Sequence, residues 1–209
     1  EGKKELVEQY MPVVHETSIA GALDLGLIVP FEIYHIKVAL TKKESSKLRK
    51  INYLYGQAER DLGGKFDAFQ NANKHRDNSE NPALRKAAQM FWMQMRLRRT
   101  LLMNAENKVK VTNLIVNKYK DKKILVFCDN ITSLNILKEV LPNNTVYHSK
   151  LKDEKKSTNL KLFSESFLPN TLISVKALSA GLNIPKCEVG ICVGGSSKTL
   201  EDTQRRGRI

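Results

Sequence analysis

Ile124-Leu125-Val126-Phe127 is a run of four apolar residues, opened by Lys123 and closed by Cys128-Asp129. A half-buried strand alternates apolar and polar side chains. A run this short and wholly apolar suits a strand of a parallel sheet, buried on both faces. Downstream the spacing predicts helix 131–141 ending at Leu141-Pro142, strand 145–148, helix 153–166, strand 171–175, a turn through Gly181, strand 188–193 and a helix from about Thr199. Strands alternating with helices at this spacing imply right-handed crossovers and a parallel sheet. The expected class is α/β, a parallel sheet flanked by helices.

Upstream the pattern is helical. Thr41-Lys42-Lys43-Glu44 is a capping box, in which the threonine hydroxyl accepts an orphan backbone N–H and the glutamate reaches back. Leu48, Ile51, Leu54, Tyr55, Ala58 and Leu62 then recur at three- and four-residue spacing, and Gly63-Gly64 ends the helix. Residues 63–81 are polar and Asn-rich and read as a mobile loop. Pro82 suits the first turn of the next long helix, with a break at Asn104 and a further helix over about 105–119. Before all of this, a short strand is expected near Val13-Val14, a short helix from Ser18 to Leu25 and a second strand from Phe31 to Leu40. The expected organisation is a connecting segment (1–40), a helical insertion (41–121) and an α/β core (122–209).

The chain has 209 residues, of which 41% are hydrophobic and 27% charged, which is an ordinary globular composition. Lys and Arg outnumber Asp and Glu by 35 to 22. Residues 1–40 hold three basic and six acidic groups, so the remainder carries +16 and a polyanion is the default partner. No apolar run approaches the ~20 residues of a membrane span and no signal peptide opens the chain, so an intracellular protein, cytoplasmic or nuclear, with no membrane partner is expected. Cys128 and Cys192 sit in apolar runs and read as buried small hydrophobes. The histidines and cysteines show no metal-ligand spacing, so no metal site is expected on this chain.

Ligands of open α/β sheets bind at the carboxyl ends of the strands, which directs attention to the residues after Phe127, His148, Val175 and Val193. Ser174 stands at a strand end shortly before Gly181; it suits a phosphate oxygen, and equally a plain cap of a short helix. Gly194-Gly195-Ser-Ser-Lys-Thr leads into Gln204-Arg205-Arg206-Gly207-Arg208, whose arginines suit nucleotide phosphates or a solvated basic helix end. Tyr147-His148-Ser149-Lys150 precedes a Lys-rich helix that suits a phosphate backbone or a solvated face. Arg96, Arg98, Arg99 and the lysines of 42–50 suit phosphate too, although exposed helix faces carry such residues routinely. The chain has no Gly-x-x-x-x-Gly-Lys-Ser/Thr loop and no acidic strand end for magnesium. No Gly-x-Gly-x-x-Gly follows any strand, which disfavours a dinucleotide-binding domain.

Taken in order, these segments resemble the C-terminal motor domain of superfamily 2 helicases. Lys123–Asp129 is similar to the motif IV strand, and Val146-Tyr-His-Ser149 to the segment that follows it. Leu172-Ile-Ser-Val-Lys-Ala-Leu-Ser-Ala-Gly-Leu-Asn-Ile-Pro185 is similar to motif V, and Gln204–Arg208 to motif VI. Tyr10-Met-Pro-Val-Val and Gly26-Leu-Ile-Val-Pro-Phe resemble the link between motor domains in the DNA-translocating branch. The resemblance implies a RecA-like fold and ATP clamped between two such domains. The absent N-terminal motor domain would be a partner supplying the phosphate loop, the magnesium ligand and the catalytic carboxylate.

By position in the family, Arg208 is the arginine finger, Gln204 senses the γ-phosphate and Arg205 ties motif VI to motif V. Gly181 and Asn183 lie near the ribose and the domain interface; Ser174 and His148 face nucleic acid, with DNA favoured and RNA not excluded. Asn183 stands where the family usually has Asp. The last arginine of motif VI is expected three residues after Arg208, but the sequence stops at Ile209, so the chain is expected to be a fragment, inactive alone, of an ATP-dependent helicase or translocase. The rival expectation is a nucleic-acid-binding module that keeps the fold without the motor.

Overall fold

The computed structural model describes residues 19–26, 30–77, 80–175 and 187–194. The chain divides into two units, Glu1–Lys37 and Val38–Ile209, each described by itself. In the first, helix α1 (Ile19–Asp24) lies where a short helix was expected. The anticipated strand over 31–40 is not formed: residues 30–41 have no regular structure. A strand needs a ladder, and this segment bonds to none among the described residues; Tyr34 instead donates its hydroxyl to Glu32 two residues away. The expected strand at Val13-Val14 lies outside the described residues.

The second unit opens with a helical hairpin. Helix α2 (Lys42–Asp61) starts at the Thr41 capping box, with both reciprocal bonds present. It ends at Gly63 and Gly64, whose φ angles of 96° and 87° need glycine. Residues 63–81, read from sequence as a loop, contain helix α3 (Ala68–His75). Its small residues explain the difference. Ala68 and Ala72 are buried against Ala58, Leu62 and Phe91, while Asn71 donates to the Leu62 carbonyl at 2.8 Å. Helix α4 (Pro82–Met103) begins with Asn81 capping Ala83 and Leu84, and its ring pairs Tyr55–Phe91 and Phe69–Trp92 join it to α2 and α3.

Helix α5 (Glu106–Lys118) leads into the core. There follow β1 (Ile124–Cys128), α6 (Ile131–Val140), β2 (Asn144–Tyr147), α7 (Asp153–Glu165), β3 (Thr171–Val175) and β4 (Val189–Cys192). The strands form a parallel sheet in the order β2-β3-β1-β4. All five residues of β1 are buried, as its wholly apolar run required. Ile124, Val126 and Cys128 pack with Val116, Leu134 and Leu137 on one face, and Leu125 and Phe127 pack with Phe163 of α7 on the other. The two-residue period thus sends β1 into two separate cores.

Cys192 corrects an expectation: it is exposed, although Cys128 is buried. Cys192 pairs with Phe127 and shares its face, but β4 is an edge strand and α7 packs toward β2 at the opposite edge. Lys123, immediately before β1, ties the two layers together. Its Nζ donates to the carbonyls of Phe163 at 2.6 Å and Pro169 at 3.1 Å, and to that of Ser166, with the Phe163 ring 4.9 Å away. Burial lowers the lysine's pKa, yet only the ammonium form can satisfy this cage of acceptors.

Candidate functional site

Parallel strands deliver their carboxyl ends to one edge of the sheet, and the register fixes which residues meet there. Tyr147 and Phe127 both pair with Ser174, and Phe127 pairs with Cys192, which makes one row across all four strands. His148, Asp129 and Gly194 follow at or just beyond that row. Of the residues expected to act, Ser174 and His148 are described and are brought together here. Gly181, Asn183, Gln204, Arg205 and Arg208 lie outside the described residues.

Ser174 is fully buried between Phe127 and Tyr147, on the face that α7 covers. Its carbonyl accepts from the Cys128 thiol at 3.4 Å. His148 is half-buried, and its Nδ1 is shielded from solvent with no hydrogen-bond partner among the described residues. Burial, with Lys150 and Lys156 adding to it, holds its pKa below the ordinary imidazole value, so the ring is neutral at pH 7. Lys150, Lys152 and Lys155 are exposed around the turn into α7. The edge therefore presents a neutral imidazole beside several cations, a combination suited to phosphate oxygens.

Sequence reading missed two features of this edge. The first joins β1 to β4. A Cβ built on Gly194 would lie 1.7 Å from Asp129 Oδ2, so the carboxylate occupies the space a side chain there would need. The Gly-Gly pair after an apolar strand is a signal of close backbone approach, but nothing in it names Asp129 as the neighbour. The second joins the edge to the hairpin. Asn130 caps α6 through Ser133 N–H at 2.8 Å and approaches the Met103 sulfur at 3.7 Å, and the Ser133 hydroxyl donates to Asn104, the C-cap of α4. The Asn-x-x-Ser spacing is a legible cap; its tie to Asn104 is tertiary.

Among the described residues no three His, Cys, Asp or Glu side chains cluster together. No helix among them is long and apolar enough to cross a membrane.

Residues 106–209 match the family model described as the helicase conserved C-terminal domain. No curated protein is similar enough in sequence to count as a relative. Among solved structures, the C-terminal part of the Fun30 ATPase domain is similar at 14% identity and a TM-score of 0.58, over 83% of this chain and 79% of that one. The SWI2/SNF2 ATPase core domain of Sulfolobus solfataricus is similar at 15% and 0.57, over 98% of this chain and 42% of that one. The same organism's SWI2/SNF2 ATPase core in complex with dsDNA is similar at 11% and 0.53, over 75% and 33%. At these identities the likeness is one of fold. The family match and the parallel sheet together give residues 106–209 the α/β, RecA-like fold of a helicase C-terminal domain.

Proposed function

We propose that this chain is the second motor domain of an ATP-dependent DNA translocase or helicase, completed by an N-terminal motor domain and inactive without it. The observation that carries the reading is the order of the motif-bearing segments on one sheet. The carboxyl ends of β1, β2, β3 and β4 lie at the same edge, and in sequence the stretch resembling motif V begins within β3 while the one resembling motif VI follows β4. A SWI2/SNF2 core of similar fold has been solved with dsDNA, which supports duplex DNA as the track. ATP is the substrate, and its magnesium ligands belong to the N-terminal domain. The organisation read from sequence (1–40 connecting, 41–121 helical insertion, 122–209 core) and an intracellular location are part of this proposal.

On this reading each residue has one task. Closure of the cleft brings Arg208 beside the γ-phosphate, where a permanent planar cation stabilises the charge that develops during transfer. Gln204 orients around the same phosphate, and Arg205 holds motif VI against motif V. Gly181 leaves room for the nucleotide and Asn183 faces the domain boundary. The neutral His148 and the strand end at Ser174 meet the nucleic-acid backbone, so that opening and closing shifts the grip by a step. Asp129 packed against Gly194 sets where β4 ends.

In the intact protein, Arg208→Ala is expected to lower DNA-stimulated ATP turnover by about 10³–10⁵, with DNA affinity largely kept. Near-wild-type turnover in that variant would remove the finger from the proposal.

A further inference from the structure

The charge on the helical hairpin is concentrated at its root. Residues 42–50 and 96–103 hold eight basic side chains (Lys42, Lys43, Lys47, Arg49, Lys50, Arg96, Arg98 and Arg99) against one acidic, Glu44. Residues 51–95, the rest of the hairpin, hold six basic against five acidic. The two halves of the root are neighbours in space. Glu44 Oε1 accepts from the Glu106 N–H at 2.8 Å, just beyond the end of α4, and the Tyr55–Phe91 ring pair, 4.9 Å between centroids, packs α2 against α4 so that the start of one lies by the end of the other.

All eight cations are exposed, and no ion pair with a carboxylate is formed by any of them among the described residues. The one acid nearby is already committed, because Glu44 spends both oxygens on Thr41 and on Glu106. Elsewhere Lys110, Lys122, Lys156 and Arg76 each have a carboxylate partner.

Helix physics disfavours this arrangement. Lys42 and Lys43 stand in the first turn of α2, at the positive end of the helix dipole. Lys43, Lys47 and Lys50 are spaced four and three apart, as are Arg96 and Arg99 at three, so like charges face one another along each helix. The arginines of α4 stop short of its last turn, where the dipole would favour them. A local rule broken repeatedly with no ion pair among the described residues to offset it marks a surface kept for a partner. Lys43 to Lys50 spans about 10 Å of helix, close to three nucleotide steps along one strand of a duplex.

We propose that the root of this hairpin is a second, sequence-independent contact for the phosphate backbone of duplex DNA, separate from the carboxyl edge of the sheet. The inference rests on the DNA-motor reading above and adds a surface to it. Glu44 on Glu106 and Ser133 on Asn104 tie the root of the hairpin to helices α5 and α6.

The test is duplex-DNA binding by the intact protein, followed by fluorescence anisotropy over a salt series. Wild type is compared with Lys43→Gln/Lys47→Gln/Lys50→Gln and with Arg96→Gln/Arg99→Gln. Each neutralised phosphate contributes about 0.9 to the slope of log affinity against log salt. The triple variant is therefore expected to be shallower by about 2–3 and the double by about 1–2, equally for unrelated DNA sequences. Turnover at saturating DNA should stay at the wild-type level while half-stimulation needs more DNA. Both variants remove like-charge repulsion and should melt no lower than wild type; if one fails to fold, the other decides.

Unchanged slopes, with wild type still binding DNA and being stimulated by it, overturn this contact and leave the motor reading standing. A wild type that neither binds nor responds to DNA overturns both. Unchanged DNA slopes together with charge-dependent capture of an acidic peptide would assign the surface to a protein partner and overturn the proposal.

Discussion

Gly194→Ala places a methyl group where Asp129 already stands. The added Cβ would lie 1.7 Å from Oδ2 and 2.6 Å from Cγ of that carboxylate. Ordinary contact begins near 3.4 Å, so Asp129 or the end of β4 must move by roughly 1.7 Å, at a cost of about 1–3 kcal/mol typical of overpacking. Asp129→Ala removes the obstructing carboxyl and brings a loss of its own. In the double variant the methyl group has room, so the two losses should not add. A coupling of at least about 1 kcal/mol is expected in a double-mutant cycle, since the groups touch. Urea unfolding of the four proteins measures it, given that the slopes of the transitions agree. In the intact protein, Gly194→Ala should also depress ATP turnover, and Asp129→Ala should restore part of it. Additive losses of stability would refute the claim that this contact fixes the end of β4.

Two further perturbations test what holds the domain together. Lys123→Met keeps the stem but leaves the carbonyls of Phe163, Ser166 and Pro169 without their cation. Bonds of this charged kind are worth about 1.5–3 kcal/mol, so thermal melting should show a loss of about 2–3 kcal/mol, roughly 4–12 °C in a chain of this size; a change under 1 °C would contradict the cage. The Glu44 carboxyl is held below the ordinary range by the Glu106 N–H first and the Thr41 N–H second. Its folded pKa lies below its unfolded one, so its stabilisation is fully present above about pH 4.3 and is lost as pH falls through the folded value. Glu44→Gln should cost about 0.5–1 kcal/mol at neutral pH, discounted for its exposure, and the gap from wild type should close in acid; a gap that is constant with pH would count against the charged bonds.

What could be read from the sequence was local in cause. The run Ile124–Phe127 announces a doubly buried strand because every side chain in it is apolar, and the Thr41–Glu44 box announces a helix because all its bonds span three residues. Pro82 as the opening of α4 is legible for the same reason. Helix α3 escaped because its asparagines suggest a loop, while its stability comes from Ala68 and Ala72 fitting beneath Phe91. The expected strand over 31–40 had apolar residues but forms no ladder with any strand among the described residues. Cys192 sits in an apolar run and is nonetheless exposed, since burial there depends on which helix covers an edge strand.

At the candidate site, positions after the strands were legible from the α/β pattern, and His148 and Ser174 do meet at one edge. The neighbours that shape it, Asp129 against Gly194 and Ser133 on Asn104, were not. Each pairs residues far apart in the chain, and neither carries a spacing signal of its own.

The central claim is that this domain is half of a DNA-driven motor. DNA-stimulated ATP hydrolysis, measured on this chain alone and on the protein carrying its natural flanking sequence, tests it most directly. No turnover is expected from the chain, and DNA-dependent turnover from the longer protein. Turnover by the chain itself, free of contaminating activity, would contradict the missing-half argument, and silence from both would make the fold a binding module without a motor.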